Sequence, residues 1–457
     1  MRKVRDIAFG LVACLVIGTA AAQDAAKAPA APKTVDDVIA KILRKTPETT
    51  TPPWPGAPRG RSVNGANLTT GEPIVMGARI GEHRDRTRFV VELSDPVDMR
   101  TFTLSNPDRV VIDMPAVQWH LDGPPRPSGN GAVKSYRYGL FRPGNSRFVI
   151  DLNQPVIVSD ALVLPPEGGH GYRVVFDLFP TTQATFDRTA GWPADLKAKE
   201  TAAERVASLP PPAPPDRHAA HRKVIVIDPG HGGIDSGTIG VNGTMEKDIV
   251  LAEGLRLRKV LQARGYDVHM TRDTDVFIPL GERVRIARAD HADLFISIHS
   301  DSIHDPNVDG LSIYTLSEKG SDKEAAALAR KENQSDIIAG VDLSGDNSTV
   351  APILIDLAQR DTMNKSSRFA ETALEELSHA TDILPRKPHR SGALVVLKAP
   401  DVPAVLIELG YLSNVHDEQQ MKTVAWRDRV ANAIADAVDR YFAPTTAAGP
   451  ETAQRIQ

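Results

Sequence analysis

Four side chains able to bind a metal or transfer a proton stand at comparable places in the second half of the chain. His231 follows a β-branched run in VIVIDPGHGG, and His299 closes a second apolar run, LFISIH. Glu246 lies just before a helical pattern, and Glu408 lies near the end of a third apolar run, VPAVLIE. Ligands of open α/β sheets bind outside the carboxyl ends of the strands, so chemistry is expected at these positions.

Two histidines and one carboxylate from separate elements form the protein ligand set of a catalytic zinc that leaves a position for water. In this interpretation His231, Glu246 and His299 hold the metal, and Glu408 is the candidate general base. A structural interpretation of each residue also exists, since a histidine at a strand end is often only hydrogen-bonded and the helix dipole favours a glutamate at a helix start. Glu408 is harder to explain in that way, because an unpaired carboxylate is costly in an apolar strand.

Five ordered blocks between about residues 223 and 442 resemble a known family: IDPGHGG, MEKDIVLA, TRDTD with a downstream LGERVRIAR, ADLFISIHSD and VLKAPDVPAVLIELGYLSN. They resemble the zinc-dependent N-acetylmuramoyl-L-alanine amidases of the AmiA/AmiB/AmiC type. The resemblance implies a hydrolase that cuts the amide bond between the muramic acid lactyl group and the first L-alanine of the peptidoglycan stem peptide. It places His231, Glu246 and His299 at the zinc-ligand positions and Glu408 at the catalytic glutamate position.

The mechanism expected from this ligand set needs no serine or cysteine nucleophile. Zinc would lower the pKa of a water molecule and polarise the carbonyl, and Glu408 would accept the water proton and return it to the leaving nitrogen. Two alternatives stay open, a non-catalytic wall-binding scaffold with a decayed metal site and a zinc peptidase acting within the stem peptide. The intact ligand set argues against the first, and the lack of an H-E-x-x-H motif weakens the second.

Residues 317–380 depart from a minimal catalytic domain. They contain a predicted helix at residues 322–333, then a polar loop, then a long helical pattern from about residue 353 to 379. In cell-division members of the family that the chain resembles, a helix inserted at this place covers the zinc and supplies a glutamate to it. Such an enzyme rests inactive until an activator displaces the helix.

The resemblance implies that Glu332 is this inhibitory zinc ligand. Glu324 and Glu318 are competing positions, and a plain surface helix is the alternative. A carboxylate in the open site would displace the water that must act as nucleophile. The activator that the resemblance implies is a protein of the LytM, EnvC or NlpD type.

The beginning of the chain and its composition indicate an exported protein. Residues 1–23 are predicted to be a cleaved Sec signal, because basic residues precede an apolar run that is too short to span a membrane. The single cysteine, Cys14, lies in this signal, where a lipoprotein processing site fits poorly. The formal net charge of −4 suggests no nucleic-acid partner. A bacterial periplasm is the expected compartment.

The remaining first half divides by composition. Residues 24–72 are predicted to be a flexible arm with a short helix at residues 34–44. From residue 73 to 180 the hydrophobic period becomes two, in runs such as RVVID and RFVIDL between Pro, Gly and Asn turns, which predicts an all-β sandwich. The repeated R-hydrophobic-V-hydrophobic-D pattern hints at internal duplication.

The region is similar to AMIN domains, which are associated with wall binding and delivery to the division site. A generic β-sandwich spacer is the alternative, and arginines such as Arg137 and Arg142 are expected to be exposed.

Residues 181–222 contain LPPPAPP, which favours polyproline II, so they are predicted to be a semi-rigid linker that lets the catalytic domain move relative to the β-domain. Residues 223–443 alternate strand and helix patterns, which predicts an α/β zinc-hydrolase domain with helices on both sheet faces. Residues 444–457 are predicted to be a disordered tail. The fold class is therefore multidomain, and the length of 457 residues requires more than one domain. We expect a monomer that binds peptidoglycan and acts in wall remodelling and daughter-cell separation.

Overall fold

The computed structural model describes residues 72–122, 129–193, 222–341 and 353–443, with side chains of the helix that begins at Ile353 described from Arg360 onward. The predicted signal, the arm with its helix at residues 34–44, the LPPPAPP stretch and the C-terminal tail lie outside the described residues. None of the helices that the structure describes combines the length and the apolar character that a membrane span requires.

Short strands joined by tight turns form the N-terminal domain. Its elements are β1 (Ile74–Glu82), β2 (Thr87–Leu93), β3 (Arg100–Leu104), β4 (Arg109–Pro115), β5 (Gln118–Trp119), β6 (Val133–Arg142), β7 (Asn145–Leu152), β8 (Val156–Val158), β9 (Leu162–Leu164), β10 (Tyr172–Pro180) and helix α1 (Gln183–Thr189). The first sheet has the order β5-β1-β2-β10-β8, with β9 beside β10, and the second sheet has the order β3-β4-β7-β6. The predicted all-β sandwich is confirmed.

The core of this domain lies between the two sheets, where Phe89 of the first sheet meets Phe148 of the second edge to face, with ring centroids 5.6 Å apart. Successive residues of a strand point to opposite faces. Ile112 and Phe148 therefore face this core, whereas Val111 and Val149 point away from it. Both valines are nevertheless fully buried. The second sheet is thus covered on its outer side as well.

The C-terminal domain is a mixed sheet between two layers of helices. Its elements are β11 (Val224–Pro229), α2 (Glu246–Ala263), β12 (Asp267–Met270), α3 (Leu280–Ala289), β13 (Leu294–His299), β14 (Ser312–Leu316), α4 (Lys323–Glu332), α5 (Ser335–Ile338), α6 (Ile353–Leu377), β15 (His389–Gly392), a 3₁₀ turn (Val395–Leu397), β16 (Ala404–Glu408), α7 (Val415–Met421) and α8 (Val424–Phe442). The strand order is β12-β11-β13-β16-β14-β15. Strands β11, β12, β13 and β16 are parallel, and β14 runs antiparallel to β16.

Alternate residues of the central strands enter two cores, as expected for a sheet covered on both faces. Ile227 and Ile296 pack with α2, α6 and α8 on one face. Val226 and Phe295 pack with α3 and α4 on the other face. The predicted α/β architecture is confirmed. The direction of β14 was not predicted, because an apolar run that is buried on both faces carries no information about its direction.

The two domains pack against each other, which corrects the expectation of a catalytic domain that moves at the end of a spacer. One buried apolar cluster joins residues of the second sheet to residues of the catalytic domain: Phe102, Leu104, Val111, Phe141 and Val149 with Ile234, Phe277, Ala339 and Val341. Arg137, predicted to be exposed, is only 7% exposed because it lies at this interface, and Arg142 is half-buried. Linker composition indicates local stiffness but not the surfaces that the linker brings together.

Candidate metal centre

His231 is fixed on the loop that follows β11. Its backbone has a φ of 56°, a left-handed conformation that a residue with a side chain adopts at a cost. Nδ1 of the imidazole lies 2.8 Å from Oδ2 of Asp235, which leaves Nε2 directed into the site. The guanidinium of Arg283 donates at 2.7 Å both to the carbonyl of His231 and to Asp228. Buried charged groups therefore hold the loop, together with a backbone bridge between Gly232 and Asp235.

Glu246 is the first residue of α2 and is fully buried. Its two carboxylate oxygens accept hydrogen bonds of 2.9 Å from the backbone N–H groups of Ser300 and Thr238. Oε1 lies 3.1 Å from Nε2 of His231 and 3.2 Å from Nδ1 of His299. The parallel pairing of β11 with β13 brings the ends of these strands to one edge of the sheet, so the three predicted ligands converge there.

Glu332, the last residue of α4, enters the same space from the inserted segment. Its Oε2 lies 3.0 Å from Nδ1 of His299 and 3.4 Å from Nε2 of His231. One ligand atom from each of these three buried residues lies within 4.8 Å of the others. Glu318 and Glu324 are both exposed in the structure. Among the three predicted positions, the structure thus brings Glu332 to the histidines.

The donor atoms fit a metal ion. Nε2 of His231 and Nδ1 of His299 are buried, and neither makes an aligned hydrogen bond with any residue that the structure describes. Buried polar atoms are normally hydrogen-bonded, so two such nitrogens facing carboxylate oxygens need another partner. Imidazole nitrogen and carboxylate oxygen are ligands that a zinc ion accepts. The cluster can therefore hold a divalent metal ion.

The charges of the cluster support the same fit. Burial lowers the pKa of His231, but the carboxylates of Glu246, Asp235 and Glu332 outweigh it and raise that pKa well above its usual value. Burial also lowers the pKa of His299, but the carboxylates of Glu332 and Glu246 outweigh this effect and raise that pKa to about 10. The carboxylates thus attract positive charge to this point. A divalent cation supplies such charge while the imidazoles stay neutral and free to act as ligands.

Glu408 ends β16 and pairs in register with His299 of β13. Burial raises the pKa of Glu408 to about 8; His299 opposes the increase, whereas Glu246 and Glu332 add to it. Oε2 accepts a 3.0 Å hydrogen bond from the backbone N–H of Asp301, whereas Oε1 makes none with a described residue. One fixed oxygen and one open oxygen suit a group that takes up and releases a proton.

Two supporting carboxylates were missed by the sequence analysis. Asp235 orients His231, and its position four residues after that histidine in GHGGID was a usable signal, because metal-binding histidines commonly donate their second nitrogen to a carboxylate. Asp301 accepts a 2.8 Å hydrogen bond from the hydroxyl of Thr238, and it forms an ion pair with Lys331 of α4. Asp301 carried no comparable signal, because its partners Thr238 and Lys331 lie far away in the chain.

The fold and the site together are those of a hydrolase whose donor set can hold a metal ion: an α/β sheet, a His–His–Glu cluster and a buried glutamate of raised pKa lie at one strand edge. Residues 225–440 match the N-acetylmuramoyl-L-alanine amidase family, and residues 76–178 match the AMIN domain. The chain belongs to the N-acetylmuramoyl-L-alanine amidase family and is a peptidoglycan amidase. The predicted enzyme class and the AMIN resemblance are confirmed.

Similar proteins cover most of the chain. The N-acetylmuramoyl-L-alanine amidase AmiC of Neisseria meningitidis serogroup B is 35% identical over 392 residues, which is 82% of this chain and 91% of that protein. AmiC of Escherichia coli is 35% identical over 383 residues, 81% of this chain and 89% of that protein. AmiA of Escherichia coli is 39% identical over 230 residues, 50% of this chain and 79% of that protein.

Proposed function

We propose that His231, Glu246 and His299 bind one Zn²⁺ ion and that Glu408 is the general base and then the general acid of amide hydrolysis. When bound, the zinc lowers the pKa of a water molecule and polarises the scissile carbonyl. Glu408 accepts the proton of the attacking water at Oε1 and delivers it to the alanine nitrogen as the C–N bond breaks. Its raised pKa lets the same carboxyl group hold and release that proton near neutral pH.

We further propose that the enzyme rests in a closed state in which Glu332 occupies the position needed by the attacking water. The single observation that carries this proposal is the contact of Glu332 Oε2 with the ring nitrogens of His299 and His231, at 3.0 and 3.4 Å. A structural zinc site is closed by its protein ligands, whereas a catalytic site keeps an open position. Withdrawal of Glu332 would convert the first arrangement into the second.

Side chains on both sides of Glu332 support the closed state. Lys331 pairs with Asp301, Asn333 donates to the carbonyl of Ala393 at 2.8 Å, Ser335 donates to Asp235, and Asp336 accepts from the backbone N–H of Leu280 at 2.9 Å. Ser335 and His231 use the same oxygen of Asp235. The inserted segment is therefore bonded to Asp235, which orients the proposed ligand His231. Lifting it would also change the surroundings of His231.

The biological setting is proposed from the family. We propose export by the signal at residues 1–23 and action in the periplasm on wall that is remodelled as daughter cells separate. An activator protein of the LytM, EnvC or NlpD type would displace α4, and the β-domain at residues 73–180 would bring the enzyme, as a monomer, to the wall. AMIN membership supports a wall-associated protein.

The closed state is tested with Glu332→Ala, using Glu324→Ala as the matched control because Glu324 is exposed in the first turn of the same helix. Hydrolysis of purified peptidoglycan is measured without an activator, and bound zinc is measured by atomic emission. We expect Glu332→Ala to be at least about tenfold more active than the unsubstituted protein, with zinc retained by both variants. Equal, low activity of both variants with bound zinc would contradict the inhibitory role.

A further inference from the structure

The side of the second sheet that faces the catalytic domain carries a repeated pattern of arginine, valine and aspartate. We call this side the outer face; its residues are Arg109, Val111, Asp113, Arg137, Arg147, Val149 and Asp151. They come from the R-hydrophobic-V-hydrophobic-D runs of β4 and β7, and from β6. The antiparallel register places Asp113 opposite Arg147 and Arg109 opposite Asp151. The pattern noticed in the sequence is thus one surface in the structure.

The arginines of the outer face bind the backbone at the end of α5. The contacts are Arg109 Nη1 to the carbonyl of Ile337, Arg137 Nε to that of Ile338 at 2.6 Å, and Arg147 Nη1 to those of Ala339 and Gly340 at 3.0 Å each. Carbonyls at the end of a helix lack partners within the helix. Guanidinium groups supply those partners, and positive charge is favoured at this end of a helix. The outer face therefore recognises a helix C-terminus through its main chain.

Arg147 is the most constrained of these arginines. It is 1% exposed, it makes two hydrogen bonds of 2.5 and 2.8 Å with Asp113, and its guanidinium lies 3.5 Å from the ring centroid of Phe141. Planar guanidinium groups suit such two-pronged and stacked contacts. The donor that reaches Ala339 and Gly340 is thus held in place before the carbonyls arrive.

Gly340 allows the backbone to come this close. It has a φ of +71°, which favours glycine, and a Cβ there would lie 3.3 Å from the methyl groups of both Val111 and Val149. The bound carbonyls begin five residues after Glu332 and belong to the last two residues of α5 and the two residues that follow it. Any movement that withdraws Glu332 by lifting α4 and α5 must therefore pull these carbonyls away from buried charged donors.

We propose that the outer face is an intramolecular binding site for the backbone of residues 337–340, through which the β-domain holds Glu332 in the metal site. The β-domain is then part of the inhibitory lock as well as a wall-binding module. An activator must break this contact, or bind an enzyme in which it has already opened. The inference rests on the inhibitory role proposed for Glu332.

The test uses full-length Arg137→Ala and Arg147→Ala, with Arg88→Ala as the matched control. Arg88 makes two hydrogen bonds of 2.7 and 2.8 Å with Asp177, as Arg147 does with Asp113, but across strands of the first sheet. Activity on purified peptidoglycan is measured without an activator. Hydrogen exchange is followed at the amides of residues 338–341, which bond back to residues 334–337.

If the outer face holds Glu332 in the metal site, both outer-face variants should show faster exchange at residues 338–341 and about tenfold higher activity. The reason is that a buried charge-assisted contact that favours the closed state is lost. Arg88→Ala should change neither exchange nor activity. In a Glu332→Ala background, Arg137→Ala should add no further activity, since the site is already open. A merely structural role of the arginine would not produce this dependence on Glu332.

Three results overturn the proposal in distinguishable ways. If Glu332→Ala raises activity while the folded outer-face variants change neither activity nor exchange, the outer face does not hold Glu332 in place. The inhibitory role of Glu332 is then unaffected. If Glu332→Ala does not raise activity, both the inhibitory role of Glu332 and the proposed role of the outer face are wrong. If Arg137→Ala raises activity equally with and without Glu332, the β-domain acts by another route. Should Arg147→Ala not fold, Arg137→Ala decides these outcomes alone.

Discussion

Oε2 of Glu332 lies 3.0 Å from Nδ1 of His299, so a side chain at the end of an inserted helix and a side chain at the end of a central strand meet at one point. Both residues are buried. The contact links the proposed zinc ligands to the segment that contains α4 and α5.

Replacement of Asp235 by asparagine should weaken zinc binding by about 10–100-fold, because the carboxylate that fixes the ring and tautomer of His231 would be lost. Competition with a chromogenic chelator measures the affinity. Asp273→Asn is the control, since the side chain of Asp273 is 60% exposed. Equal zinc affinities of the two variants would contradict the orienting role of Asp235.

Replacement of Lys331 by alanine should raise the activity measured without an activator a few-fold. Lys331, the residue before Glu332 in α4, forms an ion pair with Asp301. Because the side chain of Lys331 is 43% exposed, this pair contributes about 1 kcal/mol or less to the stability of the closed state. Lys323→Ala, at the exposed start of the same helix, is the control. The rate of peptidoglycan solubilisation is the measurement, and identical rates for the two variants would exclude Lys331 as an anchor.

Replacement of Arg283 by alanine should destabilise the catalytic domain by about 3–5 kcal/mol, because buried Asp228 would keep its charge without its partner. Arg283 also donates to the backbone beside the metal site, at Pro229 and His231. Arg285→Ala should change stability by only about 1 kcal/mol or less, since Arg285 lies partly exposed on the same helix. Urea unfolding followed by circular dichroism measures both, and similar midpoints would contradict the account.

The buried carboxyl group of Glu253 should make the free energy of unfolding depend on pH. Burial raises its pKa from 4.5 to about 8, and neither carboxylate oxygen makes a hydrogen bond with a described residue. Between pH 4.5 and about 8 the unfolded chain releases this proton while the folded chain keeps it, so the free energy of unfolding falls as pH rises. The loss approaches roughly 5 kcal/mol above pH 8.

Glu253→Gln removes this titration. Its free energy of unfolding, relative to the unsubstituted protein, should therefore increase from pH 5 to pH 8. Glu371→Gln, at an exposed position of α6, is the matched control substitution. Urea unfolding at both pH values provides the measurement. Parallel pH profiles of the unsubstituted protein and Glu253→Gln would show that Glu253 is ionised in the folded state.

The sequence allowed prediction of those parts of the fold that depend on local pattern. The β-branched runs before His231 and His299 indicated buried strands, and strand ends in such sheets lie at one edge. The period of two in RVVID and RFVIDL indicated a sandwich. Both signals come from side-chain alternation within a few residues, and the structure confirms the fold class in both domains.

What the sequence did not predict depends on contacts between distant residues. The outer face was seen only as a repeated motif, and Arg137 was expected to be exposed, because alternation shows that a strand has two faces but not what covers the second one. Asp301 was missed because its contacts with Thr238 and Lys331 form only after the domain folds. The linker suggested freedom of movement, whereas Val111 and Val149 bury their side chains against the other domain.

The most direct test of the central claim is mass spectrometry of the soluble products released from purified peptidoglycan by Glu332→Ala and by Glu332→Ala combined with Glu408→Gln. The account predicts stem peptides with a free N-terminal L-alanine, together with peptide-free glycan, from the single variant and neither product from the double variant, with zinc bound to both. Release of the same products by both variants would contradict the role of Glu408. Peptides cut within the stem would contradict the amidase reaction.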